Sequence, residues 1–342
     1  IVRGEEVTVS PQYVEIHVGE PCNLSCLYCR GGLRQVPHGN EKWLSKTNLD
    51  RLVNDIYALN PGAFIRFSGS IGEPLLHKDI AEVFASASRK DCLKWGVTTN
   101  GLLMTGPVLD ELLKAEYVHV SLDAGSDATY QQLKKGQPDH FDAVLRNLKE
   151  VVRRRGSSRT PQLIVSVLLQ RENYPELSEI AIRLKVMGVD SLEVKMQHFD
   201  PGRQMSKEEV EEAYRIIDHV RRIDDGRFRV VVVQSHDQAL AKVGSPRITF
   251  PKCYANALGL TATVSPDGNL QSCCQYYQAT LGEQGSITKS SGFGRVWESK
   301  KRRKALQQDP QKCCRNCSPS DELINEFIDF LRKGHESYRE AC

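Results

Sequence analysis

From about residue 13 to about residue 200, short β-branched runs alternate with amphipathic helical stretches, and this alternation restricts the fold more than any other feature. The runs are Tyr13–Val18, Ala63–Ser68, Lys94–Thr99, Tyr117–Leu122, Leu163–Leu169 and Ser191–Gln197. Helical patterns between them cover Thr47–Leu59, Lys78–Arg89, Gly106–Ala115, His140–Arg155 and Glu176–Met187. Strand and helix in turn at this spacing build βα units on a parallel sheet. Six units in a row predict an α/β fold, a partial (β/α)6 barrel rather than a closed eight-unit one. The Arg153–Pro161 connection, rich in Arg, Ser and Gly, reads as solvated.

After a helix over Lys207–Ile223 the period changes. Phe228–Gln234 reads as a lone strand, and Leu260–Ser265 and Leu270–Cys273 flank Pro266-Asp267-Gly268, a hairpin signal. Asp321–Arg339 is helical in period. These patterns divide the chain into a barrel over 1–205, a linker helix and strand over 206–249, a small cysteine-rich α+β domain over 250–320, and a C-terminal helix over 321–342.

Forty-six basic against 43 acidic residues leave a charge of +3, too weak to argue for nucleic acid or an anionic membrane. The run Ser299-Lys-Lys-Arg-Arg-Lys304 reads as a solvated helix face, with Trp297 before it as a packing anchor. No apolar run approaches the roughly 18 residues of a membrane span, so no membrane partner is expected. The eleven cysteines are grouped rather than spread, which favours metal and a reduced, cytoplasmic setting.

The first group is Cys22-Asn-Leu-Ser-Cys26-Leu-Tyr-Cys29, directly after the first strand. Three thiolates on one short loop can take three corners of a cubic iron–sulfur cluster and leave the fourth iron open. A structural zinc would need a fourth ligand close by, for which His17 and His38 are imperfect candidates. The motif resembles that of radical S-adenosylmethionine (SAM) enzymes, and the resemblance extends to about residue 200. Tyr28 is the aromatic which that family places beside the adenine. Ser68-Gly69-Ser70-Ile71-Gly72-Glu73-Pro74 resembles the segment that meets the SAM amino group, with extra residues between Gly69 and Gly72. Thr98-Thr99-Asn100-Gly101 and Val120-Ser121-Leu122-Asp123 are similar to segments at the ribose and carboxylate. The resemblance implies SAM bound through Tyr28, Gly72, Glu73, Asn100, Ser121 and Asp123. It also implies a 4Fe–4S cluster on Cys22, Cys26 and Cys29, and an external one-electron donor such as flavodoxin or ferredoxin. Glu73 and Asp123 are expected to serve the cofactor, because a buried carboxylate needs a partner and SAM offers an ammonium and hydroxyls.

The spacing of Cys253, Cys273, Cys314 and Cys317 resembles the twitch, a shortened SPASM domain, and implies a second, fully ligated 4Fe–4S cluster. Cys274 and Cys313 are neighbours that could substitute, and a zinc on the same four thiolates is the alternative.

Two functional classes fit. One is an oxidation or rearrangement of a small polar metabolite such as a sugar, aminocyclitol or nucleoside, with the auxiliary cluster as electron acceptor. The other is a peptide or protein side-chain maturase, which the dozen residues before the first strand make less expected. The ending Arg339-Glu340-Ala341-Cys342 lacks the Gly-Gly of the molybdopterin-pathway GTP cyclases. Strand parity supports the small-metabolite class. With Val14, Ile16, Val18, Ile65 and Phe67 facing the helices, the lumen receives Glu15, His17, Arg66, His119, Ser121, Ser166, Gln170, Glu193, Lys195 and Gln197. A lumen this polar suits a ligand rich in hydroxyls, amines or carboxylates. Glu15, His17 and Lys195 are the candidates for substrate binding or proton removal, with pairing of Glu15 or Glu193 to Lys195 or Arg66 as the structural alternative.

Overall fold

The computed structural model describes residues 10–29, 42–69, 72–196, 203–234, 236–241, 250–254, 260–271, 273, 285–288, 292–305, 309–313, 317 and 324–333. Seven strands follow one another in spatial order: β1 (Tyr13–His17), β2 (Phe64–Ser68), β3 (Lys94–Thr99), β4 (Tyr117–Ser121), β5 (Gln162–Leu169), β6 (Ser191–Met196) and β7 (Arg229–Val232). Every neighbouring pair among them is parallel. Helices α1 (Lys46–Leu59), α2 (Ile80–Ser88), α3 (Gly106–Leu112), α4 (Asp127–Lys134), α5 (His140–Arg155), α6 (Leu177–Met187) and α7 (Lys207–Arg221) fill the crossovers. Parallel crossovers share one hand, so a sequential strand order places their helices on one face of the sheet and leaves the other face to curl round a lumen. This is the partial-barrel architecture that the alternation predicts, with a seventh parallel strand beyond the six expected.

The core lies between strands and helices. Val14, Ile16, Ile65, Phe67, Val118, Val120, Val165 and Val167 are fully buried, as are Leu49, Val53 and Ile56 of α1. Parity therefore holds on these strands, and the alternate residues turn to the lumen. Its N-terminal end is floored by rings: Tyr13 stacks on Phe64 (5.6 Å between centroids, 7°) and Phe64 on Tyr117 (5.4 Å, 4°). Phe64 is on β2 and Tyr117 on β4, so the second stack crosses β3. It can do so because Gly96, the β3 partner of Tyr117, has no side chain; a Cβ there would sit 2.7 Å from the Tyr117 ring.

Several local expectations change. The strand read as standing alone, Phe228–Gln234, contributes β7 to the sheet edge beside β6. The expected hairpin forms as β8 (Thr261–Val264) and β9 (Asn269–Gln271), turning at Gly268 with φ +75°. However, β8 also pairs in parallel with β1, so the cysteine-rich region is joined to the barrel through its sheet. Helix α4, absent from the sequence reading, begins at Ser126, whose hydroxyl accepts from the Thr129 amide. Arg155, expected in a solvated connection, is buried against Asp190 and donates to the Pro161 carbonyl (2.7 Å). Arg302, expected on a solvated face, is buried with its guanidinium 3.5 Å from the centroid of the Trp297 ring. There the two form a cation–π pair. Among the described residues no helix is long and apolar enough to cross a membrane.

Gly96→Val should displace the Tyr117 ring and cost about 1–3 kcal/mol, the usual price of overpacking. A urea midpoint equal to wild type would show that the ring stack does not depend on this glycine.

Candidate functional site

The cysteine loop, residues 21–29, leaves the C-terminal end of β1, where the ends of β2, β3 and β4 also converge. Each of the three following segments is tied to it. After β2, the Glu73 amide donates to the Pro21 carbonyl (2.8 Å), and Gly72 lies so close that a Cβ would be 2.2 Å from the Gly19 carbonyl oxygen. Only glycine fits that approach. After β3, the Asn100 side-chain amide donates to Asn23 Oδ1 (2.7 Å). After β4, the Tyr28 hydroxyl donates to Asp123 Oδ2 (2.6 Å). The end of α4 supplies a fourth tie, since the Leu27 amide donates to the Leu133 carbonyl (2.8 Å) and the Ser25 amide to that of Lys134 (3.3 Å).

Both buried carboxylates find partners within the chain, where the sequence reading looked to the ammonium and hydroxyls of SAM. Glu73 Oε1 accepts from the Leu75 amide (3.0 Å) and the Thr99 hydroxyl (2.7 Å), and Oε2 from the Asn100 amide (2.7 Å). Glu73 thus braces the loop after β2 to the loop after β3. Burial pushes its carboxyl above the ordinary range, and these three bonds oppose the rise. Asp123, in the left-handed region at φ +55°, accepts from Tyr28 on Oδ2 and from the Leu168 amide on Oδ1 (2.7 Å). Lys134 Nζ lies 3.0 Å from Asp123 Oδ2 and also donates to the Ser121 carbonyl.

Lys134 was not expected from the sequence. It is 2% exposed, and its ammonium stays charged, because Asp123 and Cys26 outweigh the burial that would otherwise discharge it. The available signal was local: Ser126 as cap, Asp127 in the first turn and an apolar Tyr130–Leu133 stripe mark the short helix that carries it. Tyr28 is held well above the ordinary phenol range by burial and the neighbouring Asp123 carboxylate, so it remains a neutral donor.

Of the three cysteines, Cys22 is exposed and Cys26 and Cys29 are half-buried. Burial raises the Cys26 thiol, against the opposing Lys134 charge. Iron must therefore displace protons when it binds. Among the described residues no three of His, Cys, Asp and Glu stand close enough to share one metal ion; in a cubane each thiolate takes a different iron. Three thiols on one rigid loop, with a buried ammonium beside Cys26, suit an anionic cluster.

In the lumen, Ser68 donates to Glu15 Oε1 (2.6 Å), and His17 Nε2 lies 3.2 Å from the same oxygen. Arg66, the cross-strand partner of Glu15, donates from Nε to the Thr98 hydroxyl (2.9 Å). Burial alone would raise the Glu15 carboxyl; the Arg66 guanidinium and the bonds from His17 and Ser68 reverse this and hold it well below the ordinary range. Across the lumen, Glu193 pairs with Lys195 Nζ (2.9 Å), and its other carboxylate oxygen lies 3.4 Å from His119 Nε2. Burial, then the Lys195 and Arg66 charges, keep His119 neutral well below its ordinary value. Ser166 is buried on the same face, next to Glu193 in register. Gln170 lies just beyond β5, its side-chain Oε1 accepting from Arg203 Nε (3.3 Å). Gln197, His38, Ser70, Ile71, Cys274 and Cys314 lie outside the described residues, as does the side chain of Cys313. Cys253, Cys273 and Cys317 are half-buried.

A family model described as the Radical SAM superfamily matches residues 16–182, and one for SPASM, an iron–sulfur cluster-binding domain, matches residues 253–318. The chain is a radical SAM superfamily member with a SPASM domain. Its first domain binds SAM and a 4Fe–4S cluster, and its second binds auxiliary iron–sulfur. A probable GTP 3',8-cyclase of Methanosarcina mazei is 29% identical over 192 residues, 52% of this chain and 53% of that protein. A tungsten-containing aldehyde ferredoxin oxidoreductase cofactor-modifying protein of Pyrococcus furiosus is 27% identical over 189 residues, 53% and 50% of the two chains. The chain thus spans about half the length of these curated relatives. SuiB of Streptococcus suis, solved with S-adenosylmethionine, has a TM-score of 0.65 at 14% identity, covering 91% of this chain and 73% of that one. That is a likeness of fold.

Lys134→Met should destabilise the metal-free protein by about 3–5 kcal/mol, because it leaves the Asp123 carboxylate buried without its cation. In the Asp123→Asn background the same substitution should cost markedly less. Equal costs in the two backgrounds would refute the pairing.

Proposed function

We propose that this protein is an enzyme that cleaves SAM reductively and takes a hydrogen atom from a small polar substrate held in the barrel lumen, oxidising or rearranging it. A SAM-ligated cluster supplies a 5′-deoxyadenosyl radical when bound, and Cys22, Cys26 and Cys29 are the residues that would hold it. Gly72, Asn100, Ser121 and Asp123 stand at the strand ends beside that loop, and Tyr28 is on the loop itself. Cys253, Cys273, Cys314 and Cys317 would ligate the auxiliary cluster, which serves as acceptor for the substrate's second electron.

The observation that carries the substrate class is the lumen: charged and polar side chains on β1, β2, β4, β5 and β6 above a floor of stacked rings. A barrel core built only for stability would be filled with branched apolar residues. Glu15 and His17 bond to each other, which supports a shaping role for that pair in the lumen wall. Lys195 keeps a third of its side chain exposed beside Glu193 and is the better candidate for meeting substrate. An external flavodoxin- or ferredoxin-class donor would supply the electron, in a reducing cytoplasm that suits grouped cysteines. The second reading is a peptide or protein side-chain maturase, which would place one polar side chain, rather than a whole metabolite, in the same lumen.

Anaerobic reconstitution should load about eight irons per chain. Replacing Cys22, Cys26 and Cys29 together by Ala should remove about half of them and all reductive formation of 5′-deoxyadenosine. A triple variant that still cleaves SAM would refute the assignment. Product analysis with hydroxyl- and amine-rich metabolites in one arm and peptides in the other separates the two substrate readings.

A further inference from the structure

We propose that the C-terminal helix over 324–333 belongs to the auxiliary-cluster site, with Asn325 setting the potential of that cluster through Cys253. The helix lies beyond the residues matched by the SPASM domain, 253–318. Asn325 is completely buried, and its side-chain amide donates to Cys253 Sγ at 3.7 Å. Two turns further on, Arg332 donates to the Tyr254 hydroxyl (2.9 Å), with its guanidinium 5.6 Å from the centre of that ring. The helix is therefore pinned to both residues of the Cys253-Tyr254 pair, and Tyr254 is itself buried.

A buried amide costs free energy unless it is bonded, and an apolar residue would have packed there without that cost. One of the bonds this amide makes is an N–H directed at sulfur. Reduction adds one negative charge to a cluster and its thiolates, and a donor on a ligand sulfur stabilises the reduced form more than the oxidised form. Asn325 acts here as a positioning residue, through Cys253, and the inference rests on the reading of Cys253 as a cluster ligand.

The test is potentiometric titration of the reconstituted full chain followed by EPR. The auxiliary couple is the one that added SAM leaves unmoved. Asn325→Leu keeps the volume and removes the donor. It should lower the reduced-to-oxidised ratio of that couple roughly three- to tenfold at fixed potential, tenfold being 59 mV for one electron. Asn325→Asp keeps the shape, adds a negative charge and should lower the ratio further. The SAM-responsive couple should stay in place. Equal auxiliary potentials in all three proteins overturn the proposal, and so does an equal shift of both couples, which marks a general structural effect. Cys253→Ala separates the two levels of failure. If it keeps all its iron and the wild-type auxiliary spectrum, the ligand reading falls. If it loses the cluster while Asn325→Leu leaves the potential unchanged, only the proposal falls. Should Asn325→Leu not load, pulsed EPR of wild-type protein carrying side-chain 15N-asparagine decides. A 15N coupling at the reduced auxiliary cluster is expected, and its absence overturns the proposal.

Discussion

The buried pair of Lys134 and Asp123 fixes the site. An ammonium and a carboxylate taken out of water are tolerable only when their remaining bonds are met. Here Tyr28 and the Leu168 amide complete Asp123, and the Ser121 carbonyl receives a further Lys134 proton. Tyr28 belongs to the cysteine loop, Asp123 to the end of β4 and Lys134 to the end of α4, so satisfying one charge locks three separate segments together. The pair also leaves a positive charge beside Cys26, where an anionic cluster reduces the electrostatic cost of holding it. Stability and cofactor affinity thus draw on the same interaction.

Glu73 repeats this logic one strand away. Its carboxylate is met by backbone and hydroxyl donors, so it holds the loops after β2 and β3 in a fixed relation. Asn100 extends the brace to the cysteine loop, its side-chain amide donating to Asn23 Oδ1. A site built this way recognises its cofactor with geometry set before binding, which lowers the ordering cost.

The strands were legible because each carries a one-sided apolar alternation that only a helix-covered sheet can bury, and β1 to β6 fall within a residue or so of their expected bounds. The cysteine loop was legible because its spacing is itself the chemistry. Lys134 was not, because a single lysine on a short helix signals nothing until the fold brings it under a loop more than a hundred residues earlier. Arg155 and Arg302 were misread for a related reason. Charge runs usually lie on solvated faces, but one member of each run turns inward to meet Asp190 or the Trp297 ring. The pairing of β8 with β1 was equally hidden, since strand order across more than 240 residues leaves no local mark.

The lumen shows how a polar interior and a stable barrel coexist. Glu15 is answered by Arg66, His17 and Ser68, and Glu193 by Lys195, so each carboxylate is offset near its own height in the barrel. Apolar closure is confined to the N-terminal floor, where Tyr13, Phe64 and Tyr117 seal the end away from the cysteines. The two ends therefore differ: the floor supplies packing, and the polar tiers stand above it. Lys195 is the more exposed and lies near the C-terminal end of its strand, so the Glu193–Lys195 pair keeps part of its water. The deeper Glu15–Arg66 tier, one step above the floor, replaces that water with bonds from His17 and Ser68.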